Sequence, residues 1–489
     1  MSSTGILPVF LRGMGVSPML LCGTGVSPVH QGLHGRDAYA TQRLRRRLLK
    51  AGTGRCDITP REVMFLVGYP HVQRVSTGIA DPLHATALCL DDGATAIISV
   101  SADVLYVSAD LVGHCRRRIA ARTGVRGENV LISATHTHSA PVTCEVLAWR
   151  DDPVVPPPDE RYLALLADGI VSAACVAFEH SAPAELAITS AMIDGVGSNR
   201  LSPDGPRDPQ AGLIVVRRLS DKQIVAVQMF YSMHPTVLHE DSTLVSADFP
   251  GYARAFIESR CGGRVVYHTG PCGNLSPRYH VKAQTLAEAQ RLGSRLGEQA
   301  CSAIDALGDA NFRSDITLAA ASGTAQLPCR TFPAPGDAAA HLAAAREGYQ
   351  RLVRDGAPRA AVRTAECSVF GAEELLTLAK AQADGTLAAV QQSHAQAAVQ
   401  VFRIGEAYVA ALPGECFVEY ALEIKRGAGG HVFVTSLANG HLQGYITTPD
   451  AQGYEADLSL FEPSAGALLV ETTLDLITNM ESGANDPGD

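Results

Sequence analysis

Two histidines one residue apart offer the first chemistry. In Val130-Leu-Ile-Ser-Ala-Thr135-His136-Thr137-His138-Ser139-Ala140-Pro141, an apolar, β-prone run ends in polar side chains. Residues two apart in an extended chain share a face, so His136 and His138 would both aim into one cleft while Thr137 points away. Neutral imidazole is the commonest metal ligand, and two on one face make half a site. The bland reading is a hydrogen-bonded pair at a strand end, so any further ligands must come from elsewhere.

Further stretches bear one polar group each where an apolar strand meets a turn. Met229-Phe-Tyr-Ser-Met-His234-Pro235 offers His234, whose direction is restricted by the proline that follows. His239 is an alternative ligand, and a packed core histidine is the plain reading. In Val265-Val-Tyr-His268-Thr-Gly-Pro-Cys-Gly273-Asn274-Leu275-Ser276-Pro277, a strand enters a tight turn where backbone N–H groups could converge around Ser276. A helix-capping serine is the commoner use. Leu412-Pro-Gly-Glu415 would set Glu415 at a helix start, where the dipole favours a carboxylate. As a ligand, Glu415 would join neutral imidazoles in a common zinc set. Gly444-Tyr445-Ile-Thr-Thr448 offers a tyrosine that could equally fill core. Asn199-Arg200 could clamp a carbonyl or a headgroup, or Arg200 could be a surface arginine.

The elements that must carry these groups alternate. Strands are expected near 84–91, 94–102, from Val130 on through the two histidines, and near 185–192, 212–218, 223–231, 398–404, 407–411 and 432–437. Helices are expected at 108–123, 159–179, 247–260, 283–306 and within 330–360. This order predicts an α/β fold with mixed β-sheets layered with helices, and sites built at strand ends. The Pro-rich loop after Asp151 could form one wall.

The chain has 489 residues, 46% hydrophobic and 18% charged, which suffices for a large core. Its net charge of -10 is spread without a basic, aromatic-bearing patch, which argues against nucleic-acid binding. None of the 12 cysteines forms a Cys-x-x-Cys pair, so a thiolate zinc cluster is not expected. Cys89, Cys175 and Cys301 lie in apolar runs and read as small buried hydrophobes. No run approaches the roughly 18 apolar residues of a membrane span, and no signal peptide is evident, so a cytoplasmic chain is the default expectation. Residues 1–47 carry three Gly-x-x-Pro copies with a period of ten and a basic cluster at Arg43–Arg47. They read as a disordered extension ahead of one catalytic domain over 48–481, with a frayed tail at 482–489.

In order and spacing, Thr135-His136-Thr137-His138-Ser139, Asn199-Arg200, His234-Pro235-Thr236, Gly273-Asn274-Leu275-Ser276-Pro277, Pro413-Gly414-Glu415 and Tyr445-Ile446-Thr447-Thr448 resemble the successive motifs of the neutral/alkaline (non-lysosomal) ceramidase family. Asp57-Ile58-Thr59-Pro60 fits as well, and the resemblance covers about 50–480. It implies one zinc per chain, held by His136, His234, Glu415 and Tyr445. It implies His138 and Arg200 as groups handling the substrate carbonyl and proton transfers, and Ser276 at the reacting centre. Tyr454 is a candidate for substrate binding. The family's serine turn reads Gly-Asp-Val-Ser-Pro-Asn, whereas here Asn274, Leu275 and Arg278 depart from it. The family's classical members also carry a C-terminal immunoglobulin-like domain, which is not expected within this sequence.

The implied reaction is zinc-assisted hydrolysis of an amide bond, that of an N-acyl lipid such as ceramide. The partners it implies are a lipid or small-molecule amide and, transiently, a membrane surface. Two alternatives stand beside it: a zinc esterase or amidase on small soluble acyl compounds, and a non-catalytic relative that binds lipid or sugar.

Overall fold

The computed structural model describes residues 48–483. The extension expected over 1–47, and residues 484–489 of the expected tail, lie outside the described residues. The last helix runs through Gly483, two residues into that tail.

Among the described residues the largest sheet has eight strands. In chain order they are β1 (Lys50–Asp57), β2 (His84–Asp91), β3 (Ala96–Ala102), β4 (Val130–Ala134), β5 (Ala182–Met192), β6 (Gln210–Arg218), β7 (Ile224–Tyr231) and β8 (Arg264–Thr269). Their order across the sheet is β8-β7-β6-β5-β1-β2-β3-β4. The edge pairs β3–β4 and β7–β8 are parallel, and the remaining pairs are antiparallel. A second sheet holds β9 (Leu318–Gln326), β10 (Gln396–Ile404), β11 (Ala407–Ala411) and β12 (His431–Thr435), with β11 and β12 parallel.

Side-chain alternation shows why the sheets stack. In β2, Ala85, Ala87 and Cys89 face one core, and Leu88 and Leu90 face another. In β7, Val227, Met229 and Tyr231 point one way and Ala226 and Phe230 the other. In β11, Ala407, Val409 and Ala411 meet that shared inner core, while Tyr408 and Ala410 point outward. Both faces of these strands are therefore apolar, as a doubly covered sheet requires. Helices α1 (Ala109–Thr123), α2 (Glu160–Glu179), α3 (Asp248–Cys261) and α4 (Leu286–Asp305) cover the outer face of the large sheet. The far side of the small sheet is covered by α6 (Arg359–Ala383), α7 (Thr386–His394), α8 (Val418–Ala428) and α10 (Ala465–Gly483), with α5 (Pro335–Arg354) and the one-turn α9 (Tyr454–Asp457) packed on α6. The architecture is thus a mixed α/β layering of helix, sheet, sheet and helix.

Helix starts follow local chemistry. The Ser108 side chain accepts from Leu111 N, and the Asp159 carboxylate accepts from Arg161 N and Tyr162 N, each satisfying N–H groups that the first turn leaves over. Contrary to the expectation that no run approaches a membrane span, α2 is long and apolar enough to cross a bilayer, the one such helix among the described residues, and here its apolar face packs on the large sheet. Cys89, Cys175 and Cys301 are buried free thiols. Helices α6, α7 and α10 were not anticipated from the sequence.

The sheets are joined at one end. Asn439 N donates to the Ile132 carbonyl at 2.7 Å, and its side-chain carbonyl accepts from Ile132 N at 3.1 Å. Ser436 N donates to the Thr269 carbonyl at 2.8 Å. The loop after β12 is thereby bonded to β4 and β8 of the other sheet, and Leu437 and Asn439 adopt left-handed backbone to do it.

His268 lies in this inner layer, bonded to Ser133 Oγ at 2.8 Å and Gln228 Nε2 at 3.1 Å and stacked on Phe230. Burial pushes its imidazole down to about 3. The folded state therefore refuses a proton that the unfolded chain takes up below about pH 6.5. The stability this confers is complete above that value and is lost as pH falls from 6.5 towards 3. At pH 5 the loss from this residue is about 2 kcal/mol. Denaturation midpoints followed from pH 7 to pH 5 should fall, and His268→Gln should flatten the slope by about one proton. Parallel slopes for the two proteins would refute this.

Candidate metal centre and cavity

The candidate groups lie beyond the C-terminal ends of β3, β4, β7, β8, β11 and β12, the usual location of sites in layered α/β folds. The strand read through His138 ends earlier, at Ala134, and His136 has a left-handed backbone with φ +68°. This corrects the expectation of simple extended alternation. The cause is tertiary: His136 N donates to the Val104 carbonyl at 2.9 Å, and Thr135 N to the Ala102 carbonyl at 2.8 Å. The chain turns to meet the end of β3, and both rings still enter one pocket.

Each of three imidazoles is anchored by a main-chain carbonyl. His136 Nδ1 bonds Leu105 O at 3.0 Å, His138 Nδ1 bonds Gly68 O at 2.9 Å, and His234 Nδ1 bonds Cys272 O at 3.1 Å. A carbonyl only accepts, so each Nδ1 carries a proton, and a ring in its neutral form presents a bare lone pair at Nε2. Those lone pairs converge. His136 Nε2 lies 2.9 Å from His234 Nε2 and 3.4 Å from His138 Nε2. Burial, reinforced by neighbouring positive groups, holds His138 and His234 well below the ordinary histidine range. The alternative ligand His239 is not in this cluster; it packs against Tyr69 with ring centroids 4.6 Å apart.

Glu415 joins the cluster. Its Oε2 is 3.3 Å from His136 Nε2 and 3.6 Å from His234 Nε2, and it has no hydrogen-bond partner. Burial alone would raise this carboxyl, but His136, Tyr106 and Arg200 outweigh it and hold it below its usual value. Glu415 does not open a helix as expected. Glu415–Cys416 is a two-residue strand paired in parallel with Tyr445–Ile446, and α8 starts at Val418. That pairing places Tyr445 beside Glu415 in register. Three lone pairs and a carboxylate oxygen thus face one another. One proton could relieve one such pair, whereas a cation touching all four would relieve the whole set. The residues present fit a metal ion, and the three histidine ligand atoms lie within 4.8 Å of one another.

The cluster opens on a cavity of about 1170 Å³. His138 lines it, whereas His136 and His234 are fully buried behind. Ser276, Arg200, Tyr445 and Tyr454 line the same cavity. Arg200 Nε donates to Glu455 Oε1 at 2.7 Å, its guanidinium sits 5.4 Å from the Tyr445 ring centroid, and its buried Nη2 has no partner among the described residues. Burial would lower the Arg200 value, but Tyr445 and Glu455 carry it well above the ordinary range. Burial, with Glu415 adding to it, likewise raises the Tyr445 phenol far above its usual value. Tyr454 meets Tyr445 edge to face at 5.9 Å.

Ser276 sits in a short ladder, with Leu275 opposite Asn199 and Ser276 opposite Ser198. Its hydroxyl oxygen accepts from Arg278 N at 3.2 Å. The Gly273 turn packs directly on the Glu415 segment: a Cβ at Gly273 would stand 2.8 Å from Glu415 O. Asn274 explains one departure from the family motif. Its side chain accepts from Val418 N at 2.9 Å at the start of α8 and donates to Glu419 Oε2 at 2.7 Å, where an aspartate would repel. Asn199 is spent on its own loop, donating to Pro206 O and accepting from Leu201 N and Ser202 N, so the clamp expected of Asn199-Arg200 rests on Arg200 alone. The Pro-rich loop after Asp151 is not among the residues lining the cavity; its Asp152 pairs with His71 at 2.6 Å, behind the loop that carries Gly68 and Tyr69.

Two residues around the site gave no warning in the sequence. Arg74, fully buried, donates to His138 O at 2.7 Å and holds that histidine's backbone. Tyr106 donates its hydroxyl to Glu415 Oε1. Neither type marks metal chemistry, and both lie far from their partners in sequence.

Fold and cavity together define a layered α/β protein whose strand ends frame a metal-compatible cluster of three histidines and a carboxylate. Residues 49–272 match the family described as neutral/alkaline non-lysosomal ceramidase, N-terminal. The match takes in just under half of the chain. It is similar to the neutral ceramidase of Drosophila melanogaster, 26% identical over 226 residues, or 43% of this chain and 32% of that one. It also resembles that of Pseudomonas aeruginosa, 27% identical over 251 residues, 47% of this chain and 37% of the relative. The matched part spans about a third of the length of these curated relatives. Among solved structures, neutral ceramidase from Pseudomonas aeruginosa superposes with a TM-score of 0.69 at 20% identity, over 89% of this chain and 75% of that one. A ceramidase complexed with C2 gives 0.68 at 19% identity, over 89% and 76%. At such identities these two likenesses speak for the fold.

Proposed function

We propose that the chain is a zinc-dependent hydrolase that cleaves the amide bond of an N-acyl lipid such as ceramide, releasing a fatty acid and a sphingoid base. The observation that carries this reading is the convergence of Nδ1-anchored imidazoles and the bare Glu415 oxygen behind a large cavity. His136, His234, Glu415 and Tyr445 would hold one zinc. When bound, zinc supplies a Lewis acid that polarises the amide carbonyl and promotes ionisation of the nucleophile.

The remaining steps belong to the chain's own groups. Arg200 holds its guanidinium on Glu455 through Nε and keeps Nη2 free to donate to the substrate oxygen as negative charge develops there. His138, neutral and facing the cavity, takes a proton at Nε2 from the nucleophile and returns it to the leaving amine. The Ser276 hydroxyl, accepting from Arg278 N, either keeps its hydrogen to orient the substrate or attacks and gives that hydrogen up to the base. Tyr454, Tyr445 and Phe370 give the wall an apolar, aromatic character suited to a hydrocarbon chain. Leu201 and Tyr279 line the cavity and are exposed, an apolar edge for a transient contact with a membrane surface.

A second reading, hydrolysis of small soluble acyl compounds, draws on the charged groups Arg278, Lys282, Arg363 and Glu240 that also line the cavity. Zinc-loaded protein assayed on long-chain N-acyl sphingosine and on short acyl amides separates the two. Faster cleavage of the long-chain amide is expected. Turnover of short substrates alone would favour the second reading, and no turnover of either would leave a binding protein.

A further inference from the structure

The loop after β3 reaches both sides of the cluster. Its Leu105 carbonyl holds His136, and the next residue, Tyr106, sends its hydroxyl to Glu415 Oε1. The other oxygen of Glu415, Oε2, faces His136 and His234 and has no hydrogen-bond partner. Tyr106 is itself fixed from three sides. Thr143 Oγ1 donates to its carbonyl at 2.7 Å, and its ring lies 5.4 Å from the rings of His136 and of His441.

From this geometry we infer that Tyr106 is a positioning residue: it occupies Oε1 of Glu415 and so aims Oε2 alone at the cation held by the histidines. The physical reason is the fork of the carboxylate. With both oxygens free, Glu415 can rotate about its last torsion and present either one or both. A hydroxyl bonded to one oxygen fixes that rotation, and outer-shell partners of this kind tune metal affinity by roughly 10–100-fold. The inference rests on the metal reading above and adds to it the residue that selects the liganding oxygen.

The test titrates zinc into full-length, metal-stripped wild type, Tyr106→Phe, Glu415→Ala and the double variant, in competition with a chromophoric chelator. Tyr106→Phe should weaken zinc binding about tenfold or more while leaving the melting temperature of the metal-free protein unchanged. The same substitution should change nothing further in the Glu415→Ala background, because it acts through Glu415. Thr143→Val, which frees the Tyr106 carbonyl, should weaken binding in the same direction and serves if Tyr106→Phe does not fold. Unchanged affinity in Tyr106→Phe, or an equal loss with and without Glu415, overturns the assignment. So does a lower melting temperature with unchanged affinity, the mark of a packing role. Failure of the wild type to bind zinc would overturn the metal reading itself, a different signature from failure of the Tyr106 step alone.

Discussion

His136→Asn should empty the centre. Asparagine tolerates the left-handed backbone that His136 adopts at φ +68°, so the substitution removes the ring without adding the strain of most other side chains. Losing it takes away the one Nε2 that lies within 3.4 Å of the other imidazole nitrogens and of Glu415 Oε2. Zinc affinity should fall by more than the roughly 100-fold that marks the upper end for outer-shell partners. Amide hydrolysis should fall by about 10³-fold or more, since the Lewis acid and the arrangement around it go together. Elemental analysis after dialysis, run beside an amidase assay, reads both. A variant that keeps one zinc per chain and normal turnover would remove His136 from the site.

The second large effect is on stability. Asp103 and Arg254 form a two-pronged pair at 2.7 and 2.6 Å, and both side chains are almost wholly out of solvent. Asp103 also accepts from Thr135 Oγ1 at 3.1 Å and from His84 N at 2.8 Å. It therefore ties α3 to the ends of β2 and β4, next to the turn that places His136. Arg254→Met leaves that carboxylate buried without its counter-charge, a change that typically costs about 3–5 kcal/mol. Chemical denaturation should show a loss of this size, with weaker zinc retention as the strand ends loosen. Adding Asp103→Leu should recover much of the stability, because the stranded charge is then gone. A loss under about 1 kcal/mol in Arg254→Met would mean that the pair contributes little.

What could be read in the sequence was what local chemistry decides. Helix α2 showed itself through Asp159 and a long apolar periodicity, and the strands of the large sheet through short β-prone runs. The polar residues at the strand ends were legible by type: His136, His138, His234, Ser276, Glu415 and Tyr445 do gather around one cavity. Tertiary partners settled the rest. No residue-type signal sets the left-handed turn at His136, which follows from the Val104 carbonyl. Glu415 lies in a strand because Tyr445 pairs with it from thirty residues away. Helix α6 follows a break at Gly356-Ala-Pro358 and α7 a second one at Asp384-Gly385, and these breaks obscured their starts. Tyr106 and Arg74 matter through what they touch, and a linear chain does not display contacts.

The atoms that orient the three imidazoles belong to Gly68, Leu105 and Cys272, and all three are peptide oxygens. Exchanging the side chain at 105 or 272 leaves that oxygen where it is, so long as the local path of the chain survives. Only at residue 68 is the identity also constrained, because a methyl there would strike the His138 ring at 2.5 Å. A centre oriented this way can outlast extensive drift in the surrounding sequence, because its supports are not encoded by side chains.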